Sequence, residues 1–411
     1  MTKTPTGADS PILLAFSGGL DTSFLVPWLK DTYGRDVVTL TVDTGGIDAS
    51  TAATLERRSR ELGAVAHHLV DARATYFDQV LRFLIMGNVR RGQLYPLCVG
   101  AERAIQAQIL AQQAHRLGTA TVAHGCTAAG NDQVRFEVAL RTLAPDLEQL
   151  APVRDQAFKR PEQLKFLQDR GLPVPPFGAA YSVNRGLWGV TIGGTETLTS
   201  SGSLPEQAWV LSRGAFDAPR PPERHVIGFE RGVPCSVDGE PLGPVEVIEK
   251  VEALAAPFGI GRGIHLGDTI IGTKGRVAFE APAAEVLLNA HRELEKLVLT
   301  ARQQRIKETL AGPYGDWLHE GQNLDPVCRD MEALFLSSQQ RVTGTVNVLL
   351  RPGSVFVEGV DSDYSLMKAS KGVYGESAGE WTPQDALGFS KMVALPCMFW
   401  ARAGARHKAS A

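Results

Sequence analysis

The stretch ILLAFSGGLDTSFLVPWL, Ile12 to Leu29, runs from a short apolar segment through Ser17-Gly18-Gly19 into residues with helical spacing, Phe24, Leu25, Trp28 and Leu29. A strand that delivers a glycine pair into a helix start makes an anion seat. Glycine allows close backbone approach and positive φ. Successive amides at a helix N-terminus face the ligand, with the positive end of the helix dipole behind them. Ser17, Thr22 and Ser23 add hydroxyl donors. Asp21 is out of place beside a phosphate unless it holds a Mg2+ that bridges to the phosphates. The plain alternative is a turn with an Asp or Ser cap. Strand, glycine pair, acid, hydroxyls and helix in one order favour the phosphate site. The stretch is neither Gly-x-x-x-x-Gly-Lys-Ser/Thr nor Gly-x-Gly-x-x-Gly, which disfavours a Walker loop and a dinucleotide fold.

Working outward, DVVTLTVDTGG reads as a second strand, ASTAATLERRSRELGA as an amphipathic helix, VAHHLVDA as a third strand, and ATVAHG as a fourth after a helical stretch over 101–117. Strand and helix in alternation predict an α/β fold, a doubly wound parallel sheet. Proline-rich connectors flank a helix in LAPVRDQAFKRPEQLKFLQDRGLPVPP and mark a boundary. Beyond it the pattern is α+β. There are hairpins in HVIGFERGVPCSVDGEPLG and in RVTGTVNVLLRPGSVFVEGVDS, the second turning at Pro352-Gly353. One long amphipathic helix is expected in AEVLLNAHRELEKLVLTARQQRIKETLA, its Lys/Arg-rich 286–308 face solvated. The expected domains are a nucleotide-binding domain over 1–170, a synthetase and multimerisation domain over 171–385, and a C-terminal arm over 386–411. The apolar-then-basic end, MVALPCMFWARAGARHKASA, fits either packing on another subunit or an internal core strand with a frayed end.

The chain of 411 residues is 44% hydrophobic and 21% charged with net charge −3, room for two or three globular domains. The charge balance, with no long block of one sign, argues against a nucleic-acid partner. Five scattered cysteines, with no Cys-x-x-Cys, disfavour a disulfide framework or thiolate zinc site. The polar N-terminus and the lack of a run near ~18 uncharged apolar residues predict a soluble, cytoplasmic protein with no membrane partner. His67-His68 reads as strand-edge packing, since adjacent strand side chains point to opposite faces.

Ser-Gly-Gly-Leu-Asp-Thr-Ser resembles the pyrophosphate loop of ATP pyrophosphatases, and the longer Ala15-Phe16-Ser17-Gly18-Gly19-Leu20-Asp21-Thr22-Ser23 is similar to that of the argininosuccinate synthase family. HGCTAAGNDQVRFE, His124 to Glu137, resembles the same family's second signature, with Ala128-Ala129-Gly130 in place of its Gly-Lys-Gly. Weaker likeness extends to YSVNRGLWG at 181–189, the GFERGVPCSVDGE hairpin and SDYSL at 362–366. A tRNA-modifying enzyme can share the loop, but would need a nucleic-acid surface and reactive cysteines. An intact Ser17–Ser23 loop argues against a catalytically dead scaffold.

The resemblance implies a two-step reaction. A ureido oxygen of the acceptor attacks the α-phosphorus of ATP and pyrophosphate leaves; the aspartate amine then displaces AMP. Amides, hydroxyls and Mg2+ suit the departing diphosphate, and holding the reacting atoms in line supplies much of the rate. Carried over residue by residue, it places ATP at 15–23, Val42 and Gly125, with Mg2+ at Asp21 through the phosphates. It places aspartate at Thr127, Asn131, Asp132 and Arg103, whose guanidinium suits a carboxylate. Asp21, Asp132 and Arg103 are the implied catalytic set, and Cys126 is a small core residue with no thiol role. The implied acceptor contacts are Tyr95, Asn131, Arg135, Ser182 and Thr191, with a threonine where the family has serine. A homotetramer is implied as well.

The acceptor end departs from the family. Gly100 replaces a serine, and in GRGIHLGDTIIGTKGRVAFE the family's glutamate and tyrosine positions are Gly267 and Phe279. Removing the partner of a buried ammonium costs about 3–5 kcal/mol. Asp268 or His265 is then the replacement. From residues alone, a non-citrulline ureido, carbamoyl or amide acceptor is favoured, with citrulline itself the alternative.

Overall fold

Ile12, Leu13 and Leu14 lie fully buried in strand β1 (Ile12–Ala15), as expected for an apolar run covered on both faces. The computed structural model describes residues 10–175 and 181–408. β1 is the middle strand of a parallel sheet completed by β2 (Val37–Asp43), β3 (Ala66–Asp71), β4 (Thr121–Ala123) and β5 (Glu148–Leu150), in the order β3-β2-β1-β4-β5. Ile12 pairs with Val37 on one side and Thr121 on the other. Helices Leu20–Tyr33, Ala49–Glu61 and Arg103–Leu117 are among the crossovers. The chain winds from β1 out to β3, then crosses back to β4, so strand direction of travel reverses beside β1. The loops leaving β1 and β4 therefore diverge over a crevice at the strands' carboxyl ends, where open α/β sheets take ligands. β3 is an edge strand, and His67 there meets Thr39 at 2.8 Å, in keeping with packing at the edge.

The later strands are β6 (Tyr181–Gly186), β7 (Gly189–Gly194), β8 (Glu223–Glu230), β9 (Val233–Val237), β10 (Glu240–Pro241), β11 (Arg262–Asp268), β12 (Lys274–Glu280), β13 (Gly344–Arg351) and β14 (Ser354–Asp361). They form two antiparallel sheets, β11-β12-β7-β6 and β10-β9-β8-β13-β14. Helix Pro282–Val298 packs against strands of both and buries Ala284, Leu287, Ala290 and Leu294. The α/β-plus-α+β expectation holds.

One expected helix is two. Helix Pro282–Val298 stops before Leu299, which is extended, and Ala301–His319 begins anew. Thr300 accepts from the Gln303 amide at 3.3 Å and the Gln303 side chain accepts from the Thr300 amide at 3.0 Å, a reciprocal cap that competes with continuing the first helix. Nor is the 286–308 face wholly solvated. Lys307 is buried, 2.7 Å from Glu295, and donates to the Met86 carbonyl at 2.6 Å.

The compact unit ends at Ser362, and a second begins at Asp363. In the second, 383–408 form a helix rather than a core strand, with Leu387, Phe389, Met392, Val393, Phe399 and Trp400 exposed. No described helix is long and apolar enough to cross a membrane.

Candidate active site

The loop after β1 is held by its own side chains. Ser17 Oγ lies 3.2 Å from Thr22 Oγ1 and accepts from the Gly19 amide at 3.4 Å; Thr22 Oγ1 donates to the Gly19 carbonyl at 3.3 Å, and buried Ser23 donates to the Gly18 carbonyl at 3.4 Å. Arg58 Nη1, from the second helix, donates to the same Gly18 carbonyl at 2.6 Å. Gly18 sits at φ +72°, and a Cβ there would lie 2.4 Å from Leu55 Cδ2. Only glycine meets both conditions. Asp21 falls in the first turn of helix Leu20–Tyr33, where Gln163 Nε2 donates to its Oδ1 at 2.8 Å.

Ala15, Phe16, Ser17, Gly19, Asp21, Thr22, Val42 and Gly125 line one cavity of about 650 Å3. Gly18 and Ser23 instead brace the loop from behind, and Leu20 packs on the Ile12–Leu14 core cluster. Gly125 belongs to the loop after β4, and a Cβ there would be 3.0 Å from Thr22 Cγ2, so glycine lets the two loops touch. Arg160 also lines the cavity and has no ion pair among the described residues.

Thr127, Asp132, Arg103 and Ser182 line the same cavity. Asp132 opens helix Asp132–Leu143 and is 37% exposed toward the cavity. Arg103 Nε donates to its Oδ2 at 3.0 Å and Arg135 Nη1 to its Oδ1 at 2.8 Å. Burial pushes the Asp132 carboxyl up, but the two guanidiniums outweigh it and hold the group below its ordinary range. Arg103 also donates to Glu102 Oε1 at 3.0 Å, Gln106 Oε1 at 2.9 Å and Asn184 Oδ1 at 3.3 Å. Burial disfavours its charge, but Asp132 and Glu102 outweigh this and keep it cationic. His124 is pushed down to about 4 by burial and stays neutral, and the Cys126 thiol is pushed up to about 12 by the same cause, which fits no thiolate role.

Tyr95, Asn131, Arg135 and Thr191 stand outside the cavity lining. Asn131 Oδ1 accepts from the Ile270 amide at 2.9 Å, so the tip of the β11–β12 hairpin is pinned to it. Thr191, on β7, is buried opposite Phe279. Buried Tyr95 stacks on His265 with ring centroids 5.6 Å apart and lies 5.2 Å from Phe279; its hydroxyl donates to the Cys98 carbonyl. Arg135 donates to the His319 carbonyl at 2.8 Å and lies 3.1 Å from His319 Nδ1. Burial and then Arg135 push His319 down to about 3. At Gly100 a Cβ would lie 3.2 Å from Arg135 Nη2.

The two stand-ins for the family's acceptor carboxylate separate. Gly267 and His265 share a strand face, and a Cβ at Gly267 would lie 2.6 Å from His265 Nε2 and 3.1 Å from Arg91 Nη1. Asp268 takes the opposite face, pairs with Lys274 at 2.6 Å and is 59% exposed. Strand alternation places His265, not Asp268, beside Tyr95.

Sequence reasoning did not single out Glu102, Gln163, Arg58, Arg160 or His319. The glutamate adjoining Arg103 was a visible cue; the others reach the site only through tertiary folding.

Residues 11–173 match the family model described as arginosuccinate synthase N-terminal HUP domain, and residues 181–400 the one described as arginosuccinate synthase C-terminal domain. The chain is similar to the argininosuccinate synthase of Methanocaldococcus jannaschii, 36% identical over 94% of this chain and 97% of that one. That of Xylella fastidiosa is 38% identical over 95% and 97%, and that of Symbiobacterium thermophilum 36% over 96% and 98%. With both halves matched and relatives aligned almost end to end, the chain belongs to the argininosuccinate synthase family, ATP-dependent carbon–nitrogen ligases that release AMP and pyrophosphate.

Proposed function

We propose that this chain joins L-aspartate to citrulline, giving argininosuccinate for arginine biosynthesis. The observation that carries the reading is that the Ser17–Thr22 loop and Thr127, Asp132 and Arg103 line one cavity at the sheet's reversal point. Relatives named argininosuccinate synthase, aligned over nearly their whole length, favour citrulline over the other acceptors that the altered pocket suggested. ATP lies along 15–23, Val42 and Gly125, with its leaving diphosphate against the loop amides and hydroxyls. Among the described residues no three His, Cys, Asp or Glu side chains converge. Mg2+ would come with the triphosphate and be held at Asp21, whose Oδ2 has no hydrogen-bond partner among the described residues. Bound there, it offsets the phosphate charge. Thr127, Asn131, Asp132 and Arg103 hold aspartate; Tyr95, Asn131, Arg135, Ser182 and Thr191 form the acceptor's surroundings. The exposed apolar face of helix 383–408 supports a homotetramer, and the lack of a described membrane-spanning helix is compatible with a cytoplasmic enzyme. The domain reading of 1–170, 171–385 and 386–411 is part of this proposal.

A second acceptor is favoured by one observation: the groups nearest Gly267 are His265 and Arg91, and the Asp316 carboxylate is already paired with Arg91 at 3.2 Å. The test is pyrophosphate release from purified protein with ATP, Mg2+, aspartate and citrulline, with the product identified by mass. Brisk citrulline-dependent release supports the main reading. Aspartate-dependent release only with another ureido or carbamoyl compound supports the second. No AMP with any of them overturns both.

A further inference from the structure

Glu102 is 2% exposed, yet its carboxylate borders the cavity. Its Oε1 accepts from Arg103 Nη1 at 3.0 Å and its Oε2 from Thr44 Oγ1 at 2.8 Å. Gly186 covers it: a Cβ there would lie 2.2 Å from Oε2. Arg103 thus faces two carboxylates, Glu102 and Asp132, the second of them shared with Arg135 at 2.8 Å. Among the described residues Arg103 Nη2 is engaged only by Asn184, at 3.3 Å, and is the corner left for a ligand. A substrate carboxylate arriving there sets three anions against two guanidiniums, Arg103 and Arg135, and among the described residues Glu102 is paired with Arg103 alone.

We propose that Glu102 is the proton-linked counter-ion of Arg103: when the carboxylate of aspartate docks on Arg103, Glu102 takes up a proton. The inference rests on the reading that Arg103 receives that carboxylate. The proton comes from solvent and forms an O–H bond on Oε2, where the Thr44 hydroxyl, now donor, turns to accept from it. The groups facing Glu102 favour this. Arg103 lies on its own helix, Asp132 on the helix beside it and Asp43 on the strand behind Thr44, and the two acids oppose a further negative charge. Tyr76 and Cys98, packed behind, are pushed up by burial and stay neutral. Burial, only partly offset by Arg103 and Thr44, holds the Glu102 carboxyl at about 7, where one added anion tips it to the protonated form.

Proton-linked binding weakens as pH rises through that range. The KM for aspartate should climb by up to about tenfold per pH unit above about pH 7, and Glu102→Gln should remove that climb while keeping the Thr44 hydrogen bond. The same slope in both proteins overturns the proposal. Should Glu102→Gln not fold, calorimetry of aspartate binding to the wild-type protein with a non-hydrolysable ATP analogue, repeated in buffers of different ionisation enthalpy, gives the answer alone. Uptake of a sizeable fraction of a proton supports the proposal and no uptake overturns it. An Arg103→Lys variant separates the two readings. If its aspartate affinity is unchanged, Arg103 is not the carboxylate site. If affinity falls but the wild type takes up no proton, the docking reading stands and the Glu102 inference fails.

Discussion

Gln163 donates to Asp21 Oδ1 at 2.8 Å across 142 residues of chain, fixing the one acid of the phosphate loop in a single orientation. Buried outer partners of this kind commonly change metal affinity or activity by about 10–100-fold when removed. Gln163→Leu, which keeps bulk but not the donor, is expected to raise the Mg2+ concentration for half-maximal pyrophosphate release and to lower kcat at least several-fold. A Mg2+ titration of initial rates checks this, and an unchanged titration curve contradicts it.

Gly18→Ala meets two obstacles, the positive φ and the 2.4 Å approach to Leu55. The backbone alone costs about 1–2 kcal/mol, and relieving the contact moves the loop amides. The KM for ATP should rise about tenfold or more through loss of seat geometry. Adding Leu55→Ala relieves the contact but not the φ, so the double variant recovers only part of the ATP affinity. Urea melts and ATP kinetics on both variants decide the matter.

Stability should fall on acidification below pH 6.5, because two histidines outweigh one carboxyl that acts in the opposite sense over the same range. The Glu102 carboxyl is raised from 4.5 to about 7, so the folded chain keeps a proton that the unfolded chain has lost, and stability falls as pH rises through that window. Fully expressed, this amounts to about 3 kcal/mol. His124 and His319 are lowered from 6.5 to about 4 and about 3. The unfolded chain takes up their protons first, so stability falls as pH drops below 6.5. Melting temperatures should drop between about pH 6.5 and 4.5, more steeply in Glu102→Gln, which loses the opposing carboxyl, and less steeply in His319→Gln.

Lys307 and Glu295 form a buried pair that Asn88 and Gln339 complete, at 2.6 and 2.7 Å from the carboxylate. Lys307→Met strands the carboxylate and is expected to cost about 3–5 kcal/mol. A denaturant melt measures it; Glu295→Gln should also destabilise in the same assay, because one amide oxygen replaces two acceptors for Asn88, Gln339 and Lys307, and Lys307 loses its counter-charge.

What could be read before folding follows contiguity. Ser17–Ser23 and His124–Glu137 keep their chemistry within a few residues, so type and order were enough, and alternating periods gave the parallel sheet. The break at Leu299-Thr300 was also readable, since Thr300 and Gln303 carry the cap signature, but apolar spacing continues across it and hid it. Gln163 and His319 carry no local cue. They reach Asp21 and Arg135 across 142 and 184 residues, through packing alone. Asp268 looked a plausible substitute because a neighbour in sequence is near in space, but on a strand it is the residue two away that shares a face. The altered acceptor positions alone point to another acceptor, a signal that lies in three residues, whereas the likeness to argininosuccinate synthases runs along nearly the whole chain.

The bond from the Ile270 amide to Asn131 fastens the β11–β12 ribbon to the phosphate-handling half by its tip. His265 and Gly267 thus ride on a hairpin rooted in the antiparallel sheet through β7, while the diphosphate seat stays in the parallel scaffold. Substrate choice and bond-breaking can then evolve at different speeds: a graft of 262–280 from a relative, keeping the amide that meets Asn131, should re-tune the acceptor without rebuilding the engine that spends ATP.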